Sequence, residues 1–167
     1  VLYYSHYDRV YMEGDGLFIK TEDLWTEDQY LLRFDTRTHE TDYLLLHPVE
    51  GSLKHCTQQL QKSPEEHIND IKETIYYAHS QGILVNVYLE DWSSGMKHSP
   101  EYVFQLVDAL QTTPVQRFML PDTLGILNPL QVIEYMRKMK KRYPKKHFDF
   151  HAHNDYDLAV SNVLAAV

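Results

Sequence analysis

Two rhythms of apolar residues take turns along this chain. From Gly51 onward a helical spacing and a short apolar run alternate repeatedly. Ile68, Ile71, Ile75 and Ala78 recur at intervals that put them on one helical face. Ser63-Pro64-Glu65-Glu66 stands just before them and supplies a hydroxyl N-cap, a proline at the first helical position and a glutamate at the third. That is a capping box. Gly82 ends the helix, and "ILVNVYLE" (Ile83 to Glu90) reads as a short buried strand.

The unit then recurs. Ser99-Pro100-Glu101 opens a helix carrying Val103, Leu106, Val107 and Leu110, and "RFMLPD" (Arg117 to Asp122) is the next strand. Asn128-Pro129 opens a third helix with Val132, Ile133, Met136 and Met139, which must stop before Pro144. "HFDFHAH" (His147 to His153) is another strand, and Leu158, Val160, Val163, Leu164 and Val167 begin a fourth helix. Strands alternating with helices at roughly thirty-residue intervals predict βα units and a parallel sheet. An open doubly wound sheet and a (β/α)8 barrel both fit that rhythm.

The first fifty residues break it. "YDRVYMEG" (Tyr7 to Gly14) and "DYLLLH" (Asp42 to His47) are strand candidates, whereas the acidic stretch from Thr21 to Thr41 predicts no element. Two segments result: residues 1–50, with one or two strands, and residues 51–167, with the regular βα units.

Candidate chemistry follows from the strand period. Residues i and i+2 of a strand share a face roughly 7 Å apart, so His151 and His153 aim two imidazoles the same way at the C-terminal end of their strand. Parallel α/β folds place their sites on that edge. Two neutral imidazoles can hold a divalent cation, and surface histidines are the alternative. Glu90-Asp91, Asp122-Thr123 and Asn154-Asp155 occupy the corresponding ends of their own strands. For Asp91 and Asp155, capping the next helix is an equally good account. Glu90 differs, because glutamate is a poor N-cap and a common general base.

Composition narrows the classes. The net charge of −8 on 167 residues argues against a nucleic-acid or anionic-membrane partner. The basic run Arg137 to Lys146 crosses a helix end, where cations offset the dipole; a phosphate or CoA contact is the rival reading. Cys56 is the single cysteine, so no internal disulfide can form, and with no leader-like or membrane-length apolar run a cytoplasmic protein is expected. Neither a G-x-S-x-G nor a Gly-rich phosphate loop occurs.

"RFMLPDTLGILNP" and "HFDFHAHNDYDLAVSN" resemble the sixth and seventh strands of the 2-isopropylmalate synthase and homocitrate synthase family, a branch of the barrel enzymes that include HMG-CoA lyase. "VNVYLEDWSSGMKHSPEY" resembles that family's fifth strand and "GSLKHCTQQLQKSPEEH" its fourth βα loop and helix, so the likeness runs from Gly51 to Val167. The resemblance implies an α/β fold, an incomplete (β/α)8 TIM barrel of parallel strands with outer helices, its first and last strands missing. It implies a divalent metal (Mg, Mn or Zn) held by His151 and His153, Thr123 on an α-keto acid carboxylate, Glu90 as the catalytic acid residue near the reacting carbonyl, and His55 in the substrate pocket. Acetyl-CoA would be the co-substrate of a Claisen-type condensation. The first reading is 2-isopropylmalate synthase, of leucine biosynthesis. Homocitrate, citramalate or Re-citrate synthesis, or a non-catalytic relative keeping only the scaffold, is the alternative.

The family's first strand carries an Arg-Asp pair, and no such dipeptide occurs here. The chain is therefore expected to be a fragment or a rearranged relative, inactive alone, and the full-length protein a homo-oligomer.

Overall fold

The computed structural model describes the backbone of residues 16–17, 30–36 and 39–167, and side chains from Val49 onward. One six-stranded sheet runs in the order β1 (Gly16–Leu17), β2 (Tyr30–Thr36), β3 (His39–Glu50), β4 (Leu84–Glu90), β5 (Val115–Asp122), β6 (His147–Ala152). From β3 to β6 every pairing is parallel, with α1 (Pro64–Ser80), then α2 (Trp92–His98) and α3 (Pro100–Leu110), then α4 (Pro129–Arg142) as the crossovers. The helix α5 (Ala159–Ala166) follows β6.

The sheet is not parallel throughout, as the βα rhythm alone would predict. β1–β2 and β2–β3 are antiparallel. For β2–β3 the reason is chain length: Thr36 pairs with His39, and a link that short admits a hairpin but not the crossover that parallel strands require. The strand candidate at Asp42 to His47 falls inside β3, and β2 occupies part of the stretch for which no element was expected. Tyr7 to Gly14 lies outside the described residues.

The helices begin where the sequence places them. Ser63 accepts from the Glu66 N–H while the Glu66 side chain takes the Ser63 N–H, and Asn128 and Gln131 repeat the arrangement at α4. Their apolar faces cover one side of the sheet: Ile71 and Ile75 of α1, Leu106 and Val107 of α3, and Val132 and Met139 of α4 bury with Val85, Val87, Leu89, Phe118 and Leu120 of the strands. By the strand period the intervening Asn86, Tyr88 and Glu90 face the other side. Among the described residues, no helix is long and apolar enough to cross a membrane.

The short helix α2 has no counterpart in the sequence reading. It is seated by close backbone approach: a methyl group at Gly95 would run into the Gly51 carbonyl oxygen and lie 2.8 Å from Val103 Cγ2. At Gly51 an added methyl would meet the Glu90 carbonyl oxygen at 2.8 Å. Replacing Gly95 by alanine is therefore expected to lower stability by about 2 kcal/mol, the usual cost of overpacking. A urea unfolding midpoint equal to that of the unaltered chain would contradict this.

Candidate functional site

Parallel pairing brings the C-terminal ends of β3, β4, β5 and β6 to one edge, and each end carries a polar residue. Val49 and Leu89 are register partners, fully buried on the helix side. The next pair, Glu50 and Glu90, therefore points to the opposite face. On β6, Phe150 packs against the core, so its neighbour His151 also turns away from the helices.

Glu90, Thr123 and His55 come together through one further residue. The Thr123 hydroxyl donates to Glu90 Oε1 at 2.7 Å and accepts the Asp91 N–H at 3.0 Å. Asp91 takes a left-handed backbone (φ 56°), and its Oδ2 lies 3.4 Å from His55 Nε2. The other ring nitrogen of His55, Nδ1, stands 3.1 Å from Glu50 Oε2. His55 thus sits between two carboxylates that are both almost fully buried. Asp91 occupies the N-cap position of α2, yet its side chain makes no capping hydrogen bond. The helix-cap account of Asp91 does not hold; its carboxylate serves His55 instead.

Glu50 was missed by the sequence reading. The signal was there in "HPVEG", a strand running into an acid as "YLED" and "MLPDT" do, but it lay in the segment without a regular rhythm. Buried His67 fixes the backbone at this point, its Nε2 accepting the Glu50 N–H at 3.0 Å. An accepting Nε2 must be unprotonated, and burial pushes the His67 pKa down to about 4, with Lys62 acting in the same direction and Asp70 against it.

The His151 and His153 rings lie 5.0 Å apart, and Tyr88 meets His151 edge-on at 5.9 Å. Burial lowers the His151 pKa, the neighbouring His153 adds to the effect, and the negative charge of Glu90 opposes it. A lowered pKa keeps the imidazole neutral, the form that ligates metals, to lower pH than an ordinary histidine. Among the described residues, no group of three or more His, Cys, Asp or Glu side chains gathers as a metal cage. The pair suits two positions of a coordination shell.

The two sequence motifs also prove to be one interlocked structure. Buried Asp122 accepts the N–H groups of Ile126 and Leu127, both at 3.0 Å, closing the loop after β5. Gly125 within it has φ 58°, and an added methyl would lie 2.8 Å from Asp155 Oδ2. That pairs the glycine of one motif with the aspartate of the other. Asn162 Nδ2 donates to the Leu127 carbonyl at 2.8 Å, and the His153 N–H reaches the Asp122 carbonyl at 3.3 Å. Asn154 accepts the Ala159 N–H at the start of α5. The spacing in D-T-x-G and H-x-H-N-D is what these contacts require, and they hold Thr123 and the histidine pair on the same edge.

The HMGL-like family profile matches residues 37–167, most of the chain. The chain belongs to the HMGL-like family. Curated relatives include the homocitrate synthase of Sulfurisphaera tokodaii, 38% identical over 103 residues, a match covering 62% of this chain and 22% of that protein. The homocitrate synthase of Sulfolobus acidocaldarius is 34% identical over 102 residues, covering 61% and 21%. The chain thus spans about a fifth of the length of these relatives. Among solved structures, the HMG-CoA lyase of Bacillus subtilis superposes with a TM-score of 0.63 at 24% identity, covering 70% of this chain and 40% of that one. The HMG-CoA lyase of Acinetobacter baumannii, in complex with coenzyme A and 3-methylmalate, gives 0.58 at 23%, covering 74% and 40%. At that identity the likeness shows the fold. The HMGL-like chain has the architecture of an incomplete (β/α)8 barrel: four parallel strands with outer helices, extended here by an antiparallel hairpin.

Proposed function

We propose that this chain is part of an enzyme that condenses acetyl-CoA with an α-keto acid, and that the product is of the homocitrate type. The observation that carries the reading is the meeting of Glu90, Thr123 and the His151–His153 pair on one edge of an HMGL-like sheet. The names of the relatives favour the homocitrate alternative over 2-isopropylmalate and leucine biosynthesis. Homocitrate without its acetyl unit is 2-oxoglutarate, so a dicarboxylic keto acid is the substrate to test.

His151 and His153 would hold a divalent cation, which when bound would polarise the keto acid's carbonyl oxygen. Thr123 has one O–H to give. In this structure it goes to Glu90. Donating to a substrate carboxylate requires that bond to break, and a carboxylate that loses a donor becomes a stronger proton acceptor. Substrate binding at Thr123 would thereby prepare Glu90 to take a proton from the weakly acidic methyl of acetyl-CoA. His55 has both ring nitrogens turned to Glu50 and Asp91, which makes direct contact with substrate the less natural role for it.

The paired imidazoles of His151 and His153 are the part of the site that a metal titration tests directly. Calorimetric titration of Mn²⁺ and Zn²⁺ into the 167-residue chain is expected to show uptake of one ion that the His151→Ala/His153→Ala variant lacks. Equal heats from both proteins would remove the metal centre from this reading. Release of CoA from acetyl-CoA and 2-oxoglutarate, abolished in Glu90→Ala, would instead show that the chain turns over by itself.

A further inference from the structure

Asp91 stands in a left-handed conformation at the N-cap position of α2, yet its side chain caps nothing. Its Oδ2 faces His55, and its Oδ1 is buried with no protein partner among the described residues. His55 is therefore the contact that fixes the Asp91 side chain, while the Asp91 backbone N–H is the contact that fixes the Thr123 hydroxyl. Once that hydroxyl oxygen accepts from Asp91, its own hydrogen is directed at Glu90.

We propose that His55 is a positioning residue: clamped between Glu50 and Asp91, it sets the Asp91 turn whose N–H orients the Thr123 hydroxyl onto Glu90. The chain of contacts is Glu50–His55–Asp91–Thr123–Glu90, with links of 3.1, 3.4, 3.0 and 2.7 Å. It crosses from the end of β3 to the end of β5 and returns to the end of β4. Each partner type is needed for its geometry. A histidine reaches two carboxylates from opposite sides of one rigid ring, and a threonine can accept and donate through one oxygen. Each ring nitrogen faces one of the two buried carboxylates, so the ring ties the end of β3 to the turn after β4. Glu50 is held in turn by His67 at its N–H and by the Tyr102 hydroxyl at its carbonyl, so the far end of the relay is anchored in the core.

This assignment rests on reading Glu90 as the acid that meets substrate, since its orientation matters only then. The test needs no substrate. In the full chain labelled for NMR, hydrogen exchange of the Asp91 amide and the Glu90 side-chain carboxyl carbon resonance are followed. The amide of Val87, in the middle of β4, serves as the reporter of global opening. His55→Gln is expected to speed Asp91 exchange at least tenfold relative to Val87 and to move the Glu90 resonance the way Thr123→Val moves it. Thr123→Ser, which keeps the hydroxyl, should leave both readouts as in the unaltered chain. If His55→Gln does not fold, Asp91→Asn replaces it with the same expectation for Glu90. Exchange at Asp91 that merely tracks Val87, with an unmoved Glu90 resonance, overturns the relay. Because these readouts are taken without ligand, that failure leaves the functional reading to the metal and keto-acid titrations.

Discussion

His67 alone is expected to take about 3 kcal/mol from the chain's stability as the pH falls from 6.5 to 4. The histidine is buried and its pKa is pushed down to about 4 from the ordinary 6.5, chiefly by burial. The unfolded chain therefore binds a proton in a window where the folded chain does not. Stability rises with pH wherever the unfolded state holds more protons, so this contribution is whole above 6.5 and gone by about 4. The gap corresponds to ~3 kcal/mol at 1.36 kcal/mol per pH unit. The structural cause is visible: Nε2 accepts the Glu50 N–H at 3.0 Å, and protonation would turn acceptor into donor. Urea unfolding across that range should show the fall in the unaltered chain and a much flatter line in His67→Gln, whose amide oxygen can accept the same N–H without titrating. An unchanged slope in His67→Gln would place the acid sensitivity elsewhere. The consequence for the site is direct, because the N–H that His67 holds belongs to the residue that begins the contacts to His55.

What could be read from the sequence was whatever local chemistry decides. Ser63 and Asn128 cap helices with their own side chains, so α1 and α4 are legible from four residues each. The strands β4 and β5 are legible from short apolar runs and β6 from the alternation of Phe148 and Phe150 with polar residues, each between helical flanks. The hairpin of β2 and β3 was not. Its pairing depends on contacts across strands and on a short link with no Asn-Gly or Asp-Gly signal to announce it. Nor was α2, whose seven residues include Gly95 and no capping side chain; buried Trp92 and the approach of Gly95 to Gly51 hold it in place. In the candidate site, residue types and strand ends put forward Glu90, Thr123, His151 and His153, and the structure sets Thr123 on Glu90 and the two imidazoles side by side. The linking role of Asp91 depends on a backbone conformation that sequence does not display, and Glu50 is recruited from a strand whose rhythm is broken.

Replacing Asp122 with alanine is expected to cost about 3–6 kcal/mol, since two hydrogen bonds to a charged acceptor are lost at ~1.5–3 kcal/mol each. The carboxylate is fully buried, and its two oxygens divide the work, Oδ1 taking the Ile126 N–H and Oδ2 that of Leu127. Without it both donors stay inside a loop packed on Gly125, Asp155 and Asn162, with no acceptor supplied in their place. Asp122→Asn keeps one acceptor oxygen and replaces the other with a donor, so its cost should fall between those of alanine and aspartate. Urea midpoints for the three proteins test that order. The same loop carries Thr123, and the Asp122 carbonyl receives the His153 N–H. Loosening it should therefore weaken metal uptake by the His151–His153 pair even where the sheet remains folded. Equal stabilities for Asp122→Asn and the unaltered chain would mean that a single oxygen suffices, and that Gly125 with Asn162, rather than the aspartate, holds the two motifs together.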